Sequence, residues 1–418
     1  MRILYISYFG ALKHLAQTQV VPYLRELVRS GCEVTLLSFE ECLPDPAEEK
    51  RQRRKLQTEL AAAAIDWRPL RYHKRPSLPA TAYDVLAGIV YGCYLVLSKR
   101  INVVHARNHV PAAMALVIKR LLRTRLVFDL RGVMAEEYVD AGTWKQGSVP
   151  YRVTKWVEGK VFTAADAVIM LTRKIRDVLL ECYPALRSKP VEIIPCCVDV
   201  ARYAGVDRAF ARQRLGLENK LVMAYAGNLG GWYLTAEMAR IFHELRRKDT
   251  RAHFLIVTQS PYHSIREPLT ALGVPASTYT LLTVPVEAMP AHLAAADFAI
   301  SFIKPCFSKL SSYPTKIGEY LASGLPILTN SGIGDLDELV EGERVGVLVN
   351  ELSPDSYRTA LANLMNLLSD PAIAARCREV AARRLALATV GREGYLRVYG
   401  SLGLPLRSSA AAAANEVA

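Results

Sequence analysis

Residues 294–329, AAADFAISFIKPCFSKLSSYPTKIGEYLASGLPILT, leave this chain few folds to choose from. Residues 298–303 and 325–329 are apolar runs of strand length. Between them Ser312 reads as an N-cap, Pro314 falls in a first turn where proline is tolerated, and Gly324 stops the helix. A strand, a helix and a strand in this order make one step of a parallel sheet. Ser312, Lys316 and Glu319 stand at i, i+4 and i+7 and share one helical face; Ile317, Tyr320 and Leu321 share another, which packs on the sheet. The polar face opens at a helix N-terminus, where unpaired N–H groups and the macrodipole favour an anion, and Lys316 adds a full charge. Glu319 lies one turn deeper and suits hydroxyls such as those of a ribose. A plain surface helix with a Lys–Glu pair fits the same spacing, so the residues alone leave both readings open.

The alternation continues in both directions. Residues 2–9, 33–39, 101–105, 125–130, 165–171 and 192–195 read as strands separated by helices, and so do 220–227, 253–258 and 280–283. At 418 residues two domains of ordinary size are expected. The fold class is α/β, with two Rossmann-like domains. The first turn, at Gly10, lacks G-x-G-x-x-G, so no dinucleotide fingerprint is present. Gly227, Gly230 and Gly231 in GNLGGWY allow the close backbone approach of a phosphate cradle.

A formal charge of +13 favours an acidic partner: nucleic acid, an anionic membrane face or a phosphorylated substrate. No RNA-binding signature or helix-turn-helix pattern accompanies the charge, so nucleic acid is set aside. KRQRRK at 50–55, extended by Arg68, Arg71, Lys74 and Arg75 among Trp67 and Tyr72, reads either as a solvated face or as contact with an anionic leaflet. The eight cysteines are scattered without C-x-x-C, which suits a reducing cytosol and gives no zinc site or disulfide framework. Met1 leads straight into a strand, so no signal peptide is expected. Residues 82–97 are apolar but short and interrupted by Asp84, and read as a packed helix.

The segment FSKLSSYPTKIGEYLASGLP resembles the donor-site signature of retaining glycosyltransferases of the GT-B fold, family GT4. It is most similar to a subgroup of capsule, O-antigen and exopolysaccharide enzymes. Flanking segments extend the resemblance over most of the chain, including IPCCVDVARY at the end of the first domain. The family's first motif glutamate is Ser311 here, and the second is Glu319.

The resemblance implies two domains facing across a cleft: 1–198, completed by a returning segment at 386–410, and 199–385, with 411–418 a disordered tail. It implies transfer of a sugar from a nucleotide donor, UDP-sugar favoured, to a glycan or polyprenyl-linked acceptor in surface polysaccharide synthesis. The protein would be cytoplasmic and peripheral on the inner membrane face. Donor-side residues would be Gly227, Asn228, Gly230, Lys304, Lys309, Ser311, Ser312, Thr315, Lys316 and Glu319. Asn228 stands where relatives carry an arginine, and Leu234 near their lysine. The acceptor side would hold Gly10, Arg107, His109, Asp129, Glu136 and Glu137. Arg107 and Arg131 occupy strand ends where relatives often have histidines. An arginine stays protonated and cannot be a general base, but a retaining mechanism needs only charge stabilisation there, which makes Arg131 catalytic together with Lys316 and Glu319. No cofactor or metal is expected; Asp335-Leu336-Asp337 matches a D-x-D metal motif but fits a helix cap and first-turn acid better. A nucleotide-sugar epimerase and a non-catalytic scaffold of the same fold are the alternatives.

Overall fold

The computed structural model describes residues 1–73, 75 and 77–404. Lys74 of the basic patch, the end of the 386–410 return and the 411–418 tail lie outside them. The chain divides into two compact units, Met1–Pro195 with the segment from Leu387 on, and Cys196–Ala386.

In the first unit seven strands, β1 (Arg2–Ser7), β2 (Glu33–Glu40), β3 (Ile65–Arg71), β4 (Val103–Arg107), β5 (Arg125–Asp129), β6 (Ala167–Met170) and β7 (Val191–Ile193), form one sheet. Its order is β3-β2-β1-β4-β5-β6-β7, every pair parallel. The second unit has β8 (Leu221–Ala226), β9 (Ala252–Val257), β10 (Tyr279–Leu282), β11 (Phe298–Ser301), β12 (Ile327–Asn330) and β13 (Gly346–Val349), in the order β10-β9-β8-β11-β12-β13. A parallel sheet is covered on both faces, so its central strands are apolar without alternation. Ile3, Leu4, Tyr5 and Ile6 are all fully buried, as are Phe298, Ala299 and Ile300.

Each sheet is laid down outward from its first strand and then resumes on that strand's other side. The reversals fall between β1 and β4 and between β8 and β11. At such switch points neighbouring helices leave to opposite faces, and a crevice opens beyond the strand ends.

Two sequence expectations change. The helix after β11 spans Thr315–Ala322 with Pro314 as its N-cap, and Ser312 is extended (φ −95°, ψ 137°) at the end of a 3₁₀ turn over Phe307–Ser311. Pro314 is the cause: the residue before a proline is driven out of the helical region, so a helix cannot run from Ser312 through Tyr313. Ser312 therefore does not share a helical face with Lys316 and Glu319. Gly324 does end this helix, at φ 80°, with Leu325 N–H donating to the Tyr320 carbonyl at 2.9 Å.

The apolar segment before β4 forms a 23-residue helix, Ser77–Lys99, longer than the segment expected. It is packed on one side only: Tyr83, Leu86, Val90, Tyr94 and Leu97 are exposed. The adjacent cysteines Cys196 and Cys197 are buried side chains at the start of the second unit.

Candidate active site

In the second unit the switch point is built from three segments: the glycine loop after β8, the loop after β11, and the Thr315–Ala322 helix. Several contacts fix that helix. Tyr320, fully buried, accepts a hydrogen bond from Ala226 N–H at the end of β8 (2.8 Å). Gly318 lies against Val198, whose Cγ1 would stand 3.0 Å from an added Cβ. Asn330, at the end of β12, holds the loop after β11 through both side-chain atoms, accepting from Ile303 N–H at 2.8 Å and donating to its carbonyl at 2.9 Å.

Lys316 then projects under the glycine loop. Its Nζ donates to the Tyr225 hydroxyl at 2.9 Å and lies 4.0 Å from the centre of that ring and 3.9 Å from that of Tyr233. A Cβ on Gly227 would come within 2.8 Å of this ammonium, and Gly227 has φ 131°; only glycine serves there. Gly230 (φ 73°) donates its N–H to Thr235 Oγ1 at 2.9 Å, and Leu229 N–H donates to Ser260 Oγ at 2.9 Å, so the loop is held from outside. Burial pushes Lys316 down to about 7, against the pull of Glu319. Glu319 is pushed up to about 7, again by burial, with Arg202, Lys316 and a hydrogen bond from Tyr203 opposing the rise. Both groups are thus poised between charge states at neutral pH, the condition in which an arriving ligand decides their protonation.

The remaining donor-side residues divide. Lys309 is buried with Nζ 3.8 Å from the Trp232 ring centre. Ser311 is buried and donates to the Ser308 carbonyl at 2.6 Å. Asn228 contributes its backbone carbonyl, which accepts from the Tyr225 hydroxyl. Lys304 is exposed; its backbone N–H donates to Trp232 O at 2.8 Å, joining the two loops. Thr315 and Ser312 are half-buried beside the helix start. Asp337 accepts from Gly332 N–H (3.2 Å), closing the turn ahead of the Leu336–Gly342 helix.

In the first unit the residues expected on the acceptor side lie in buried or half-buried polar networks. Asp129 is fully buried, with Arg131 Nε 2.7 Å from Oδ1. Its Oδ2 accepts from Arg131 Nη2 (3.0 Å) and the Tyr395 hydroxyl (3.2 Å), with Arg107 Nη1 at 3.4 Å and His105 Nε2 at 3.3 Å. Burial alone would raise the Asp129 carboxyl, but Arg131, His105 and Arg107 hold it well below the usual range. Arg131 also donates to the Tyr395 hydroxyl at 2.9 Å. Tyr395 belongs to the returning Arg392–Gly400 helix, and Tyr399 of the same helix meets His105 Nδ1 at 2.7 Å. Arg107, Asp129 and Arg131 therefore fasten the returning segment to the sheet. The physical reason is that two arginines brought this deep need an anion, and Asp129 is the one the strand ends supply.

His109 is likewise buried, 2.7 Å from Glu158, which burial would raise but His109 and Lys155 hold down at about 2. Glu136 pairs with Lys155 at 2.9 Å. Glu137 lies against Gly132, where an added Cβ would meet it at 2.6 Å. Gly10 closes on Glu40, whose carboxylate accepts from Ala11 N–H at 2.6 Å; a Cβ at residue 10 would meet that carboxylate at 2.5 Å. Sequence reasoning passed over Glu40, Tyr203, Tyr225, Trp232, Tyr233 and Asn330. The aromatic residues carried a signal, since Tyr225 ends an aliphatic strand and Trp232–Tyr233 follow paired glycines, where an exposed loop has no packing need for them.

Two doubly wound parallel sheets, the second with a lysine and a carboxylate at its switch point, define a two-domain Rossmann-type protein. Known proteins match it at both levels. Residues 16–202 match Glycosyltransferase Family 4, and residues 221–367 match Glycosyl transferases group 1. The chain is 25% identical to the D-inositol 3-phosphate glycosyltransferase of Segniliparus rotundus over 300 residues, 70% of this chain and 64% of that one. It is 25% identical to the alpha-maltose-1-phosphate synthase of Mycolicibacterium smegmatis over 229 residues, 53% of this chain and 58% of that one. The chain thus spans 64% or less of the length of these curated relatives. Among solved structures, Anabaena HepE in complex with UDP superposes with a TM-score of 0.69 at 16% identity, covering 96% of this chain and 100% of that one. WaaG, a glycosyltransferase involved in lipopolysaccharide biosynthesis, gives 0.66 at 16% identity, covering 95% and 100%. The chain belongs to the GT4-like glycosyltransferases of the GT-B fold.

Proposed function

We propose that this protein transfers a sugar, with retention, from a nucleotide-sugar donor to a lipid-linked or glycan acceptor in surface polysaccharide synthesis. It would do so without a metal, at a membrane face. The observation that carries the reading is Lys316 held beneath the Gly227 backbone, with Glu319 one turn deeper on the same helix. Lys316 and the helix N-terminus would take the donor diphosphate, and Glu319 the ribose hydroxyls. As the bond between the anomeric carbon and the diphosphate oxygen breaks, its electron pair leaves with the nucleotide diphosphate. The acceptor oxygen bonds to that carbon from the same face, and its proton passes to the departing phosphate. Lys316 stabilises the charge as it develops. UDP is favoured because the solved structures that share this fold include a UDP complex. A surface-glycan acceptor draws support from the motif and from the likeness to WaaG, while the curated relatives are named for inositol 3-phosphate and maltose 1-phosphate.

The test is a panel of labelled UDP- and GDP-sugars, with and without extracted bacterial glycolipid. Label moving to the lipid fraction from one donor, in the donor's anomeric configuration, is the expected result. A donor converted to its epimer without acceptor would point to an epimerase, and no turnover with any donor to a scaffold.

Donor binding is also expected to be pH-dependent. With its pKa near 7 in the empty site, Lys316 is mostly neutral at pH 8, and an incoming diphosphate raises that pKa. Binding at pH 8 should take up nearly one proton, and affinity should fall by up to about tenfold per pH unit above 7. Calorimetry in two buffers of different ionisation enthalpy measures the uptake; equal heats would contradict it.

A further inference from the structure

The helices Ser77–Lys99, His109–Leu122 and Val149–Ala164 each lie on a connection that steps the same way across the first sheet, from β3 to β4, β4 to β5 and β5 to β6. Right-handed crossovers place all three on one face, and His109–Leu122 packs against both of the others. The outer side of this layer is apolar. Along Ser77–Lys99 the large exposed apolar side chains are Tyr83, Leu86, Val90, Tyr94 and Leu97, a stripe about 21 Å long at 1.5 Å per residue. Val149, Val153 and Trp156 form a second exposed line, with Leu121 on the helix between, at 54–66% exposure throughout these nine residues.

The layer's charges are one-sided. Its three helices contain two acids, Asp84 and Glu158, and both are buried. Asp84 turns inward to the Tyr8 hydroxyl (2.9 Å) and His73 (2.6 Å). Among the described residues, the exposed charges on the helices or within two residues of their ends are Arg75, Arg100, Arg120, Arg123, Arg152 and Lys160, all cations. Ser77–Lys99 is apolar enough over residues 79–99 to span a bilayer, yet it is fastened to the domain. Gly88 and Gly92 seat it on the next helix so closely that an added Cβ would meet Met114 Sδ at 2.5 Å and Ile118 Cδ1 at 2.6 Å.

We infer that this three-helix layer is the surface by which the protein lies on a leaflet of anionic lipid, its tyrosines, tryptophan and aliphatic side chains entering the interface and its cations meeting the headgroups. This deepens the lipid-linked acceptor reading by naming the surface involved; the KRQRRK helix is a separate patch. Apolar side chains ringed by cations without an exposed carboxylate match such an interface. A second copy of the chain would instead set the same cations against each other.

The experiment is sedimentation of the full chain with vesicles of phosphatidylcholine alone or mixed with phosphatidylglycerol, at low salt, following tryptophan emission, to which the exposed Trp156 contributes. Binding is expected only to the anionic vesicles, with a blue shift, and Leu86→Ser/Val90→Ser should weaken it by about tenfold or more. Both positions are exposed, so Tm and nucleotide stabilisation should not change, which separates this test from that of the donor site. Equal binding by the variant, or none by the wild type, would overturn the inference. So would a concentration-dependent dimer that the variant abolishes without any vesicle binding, since a second copy would then be the occupant.

Discussion

Asp129→Asn is expected to destabilise the first unit by about 3–5 kcal/mol, the cost of leaving buried arginines without their anion. Asp129 is fully buried and answers Arg107, Arg131, His105 and Tyr395 together. The effect should be localised as well as large. Because Tyr395 and Tyr399 join the cluster from the returning helix, amide exchange over residues 392–400 should accelerate more than exchange in β1. Tyr395→Phe removes one hydroxyl and should cost about 1 kcal/mol. Denaturant unfolding of the three proteins decides it. A loss for Asp129→Asn no larger than that for Tyr395→Phe would show that the arginines find other partners and that the cluster is not the clasp described. The linkage has a definite sign. The folded Asp129 pKa lies below its unfolded value, so its contribution is present above the unfolded value and fades as pH falls below it.

Lys316→Met is expected to lower turnover by about 10²–10³-fold, as when one preorganised group is removed from a developing anion. The same substitution should leave the empty protein as stable as before or more so. Burial drives Lys316 toward its neutral form, which means the folded state holds the ammonium at a cost that methionine does not incur. Glu319→Gln should behave in the same way, since burial raises that carboxyl too. Activity lost with stability kept is the signature of a binding group rather than a packing one. Thermal unfolding beside a transfer assay reads both quantities. Turnover within about fivefold of wild type for Lys316→Met would remove the lysine from the mechanism, well short of the loss a transition-state contact implies.

What the sequence disclosed and what it hid follow from the range of the interactions. The strands of both sheets were readable because a doubly covered sheet demands uninterrupted apolar runs, and 298–303 or 220–227 can hardly be anything else. The pairing of Lys316 with Glu319 was readable because it is local, three residues apart in one helix. The start of that helix is not at Ser312, because Pro314 sterically excludes helical backbone at Tyr313 and overrides the capping preference of the serine. Asp129 was placed on the acceptor side, and Arg131 among the catalytic residues, from the family resemblance of the segment they share. Both also bond to Tyr395, more than 260 residues further along the chain, and no spacing rule reaches that far. The exposed apolar face of the Ser77–Lys99 helix was not legible for a related reason. Asp84 breaks the apolar run in sequence but points inward in space.

The measurement that bears most directly on the account is thermal unfolding of wild type and Glu319→Ala with UDP, GDP, ADP, CMP or buffer alone. A nucleotide at about 100 times its dissociation constant stabilises the native state by about 2.7 kcal/mol, a readable rise in Tm. The account predicts that one of them, UDP above the others, raises the Tm of the wild type and leaves that of Glu319→Ala unchanged. No rise with any nucleotide, or an equal rise in the variant, would contradict the placement of a nucleotide-sugar donor on the Thr315–Ala322 helix.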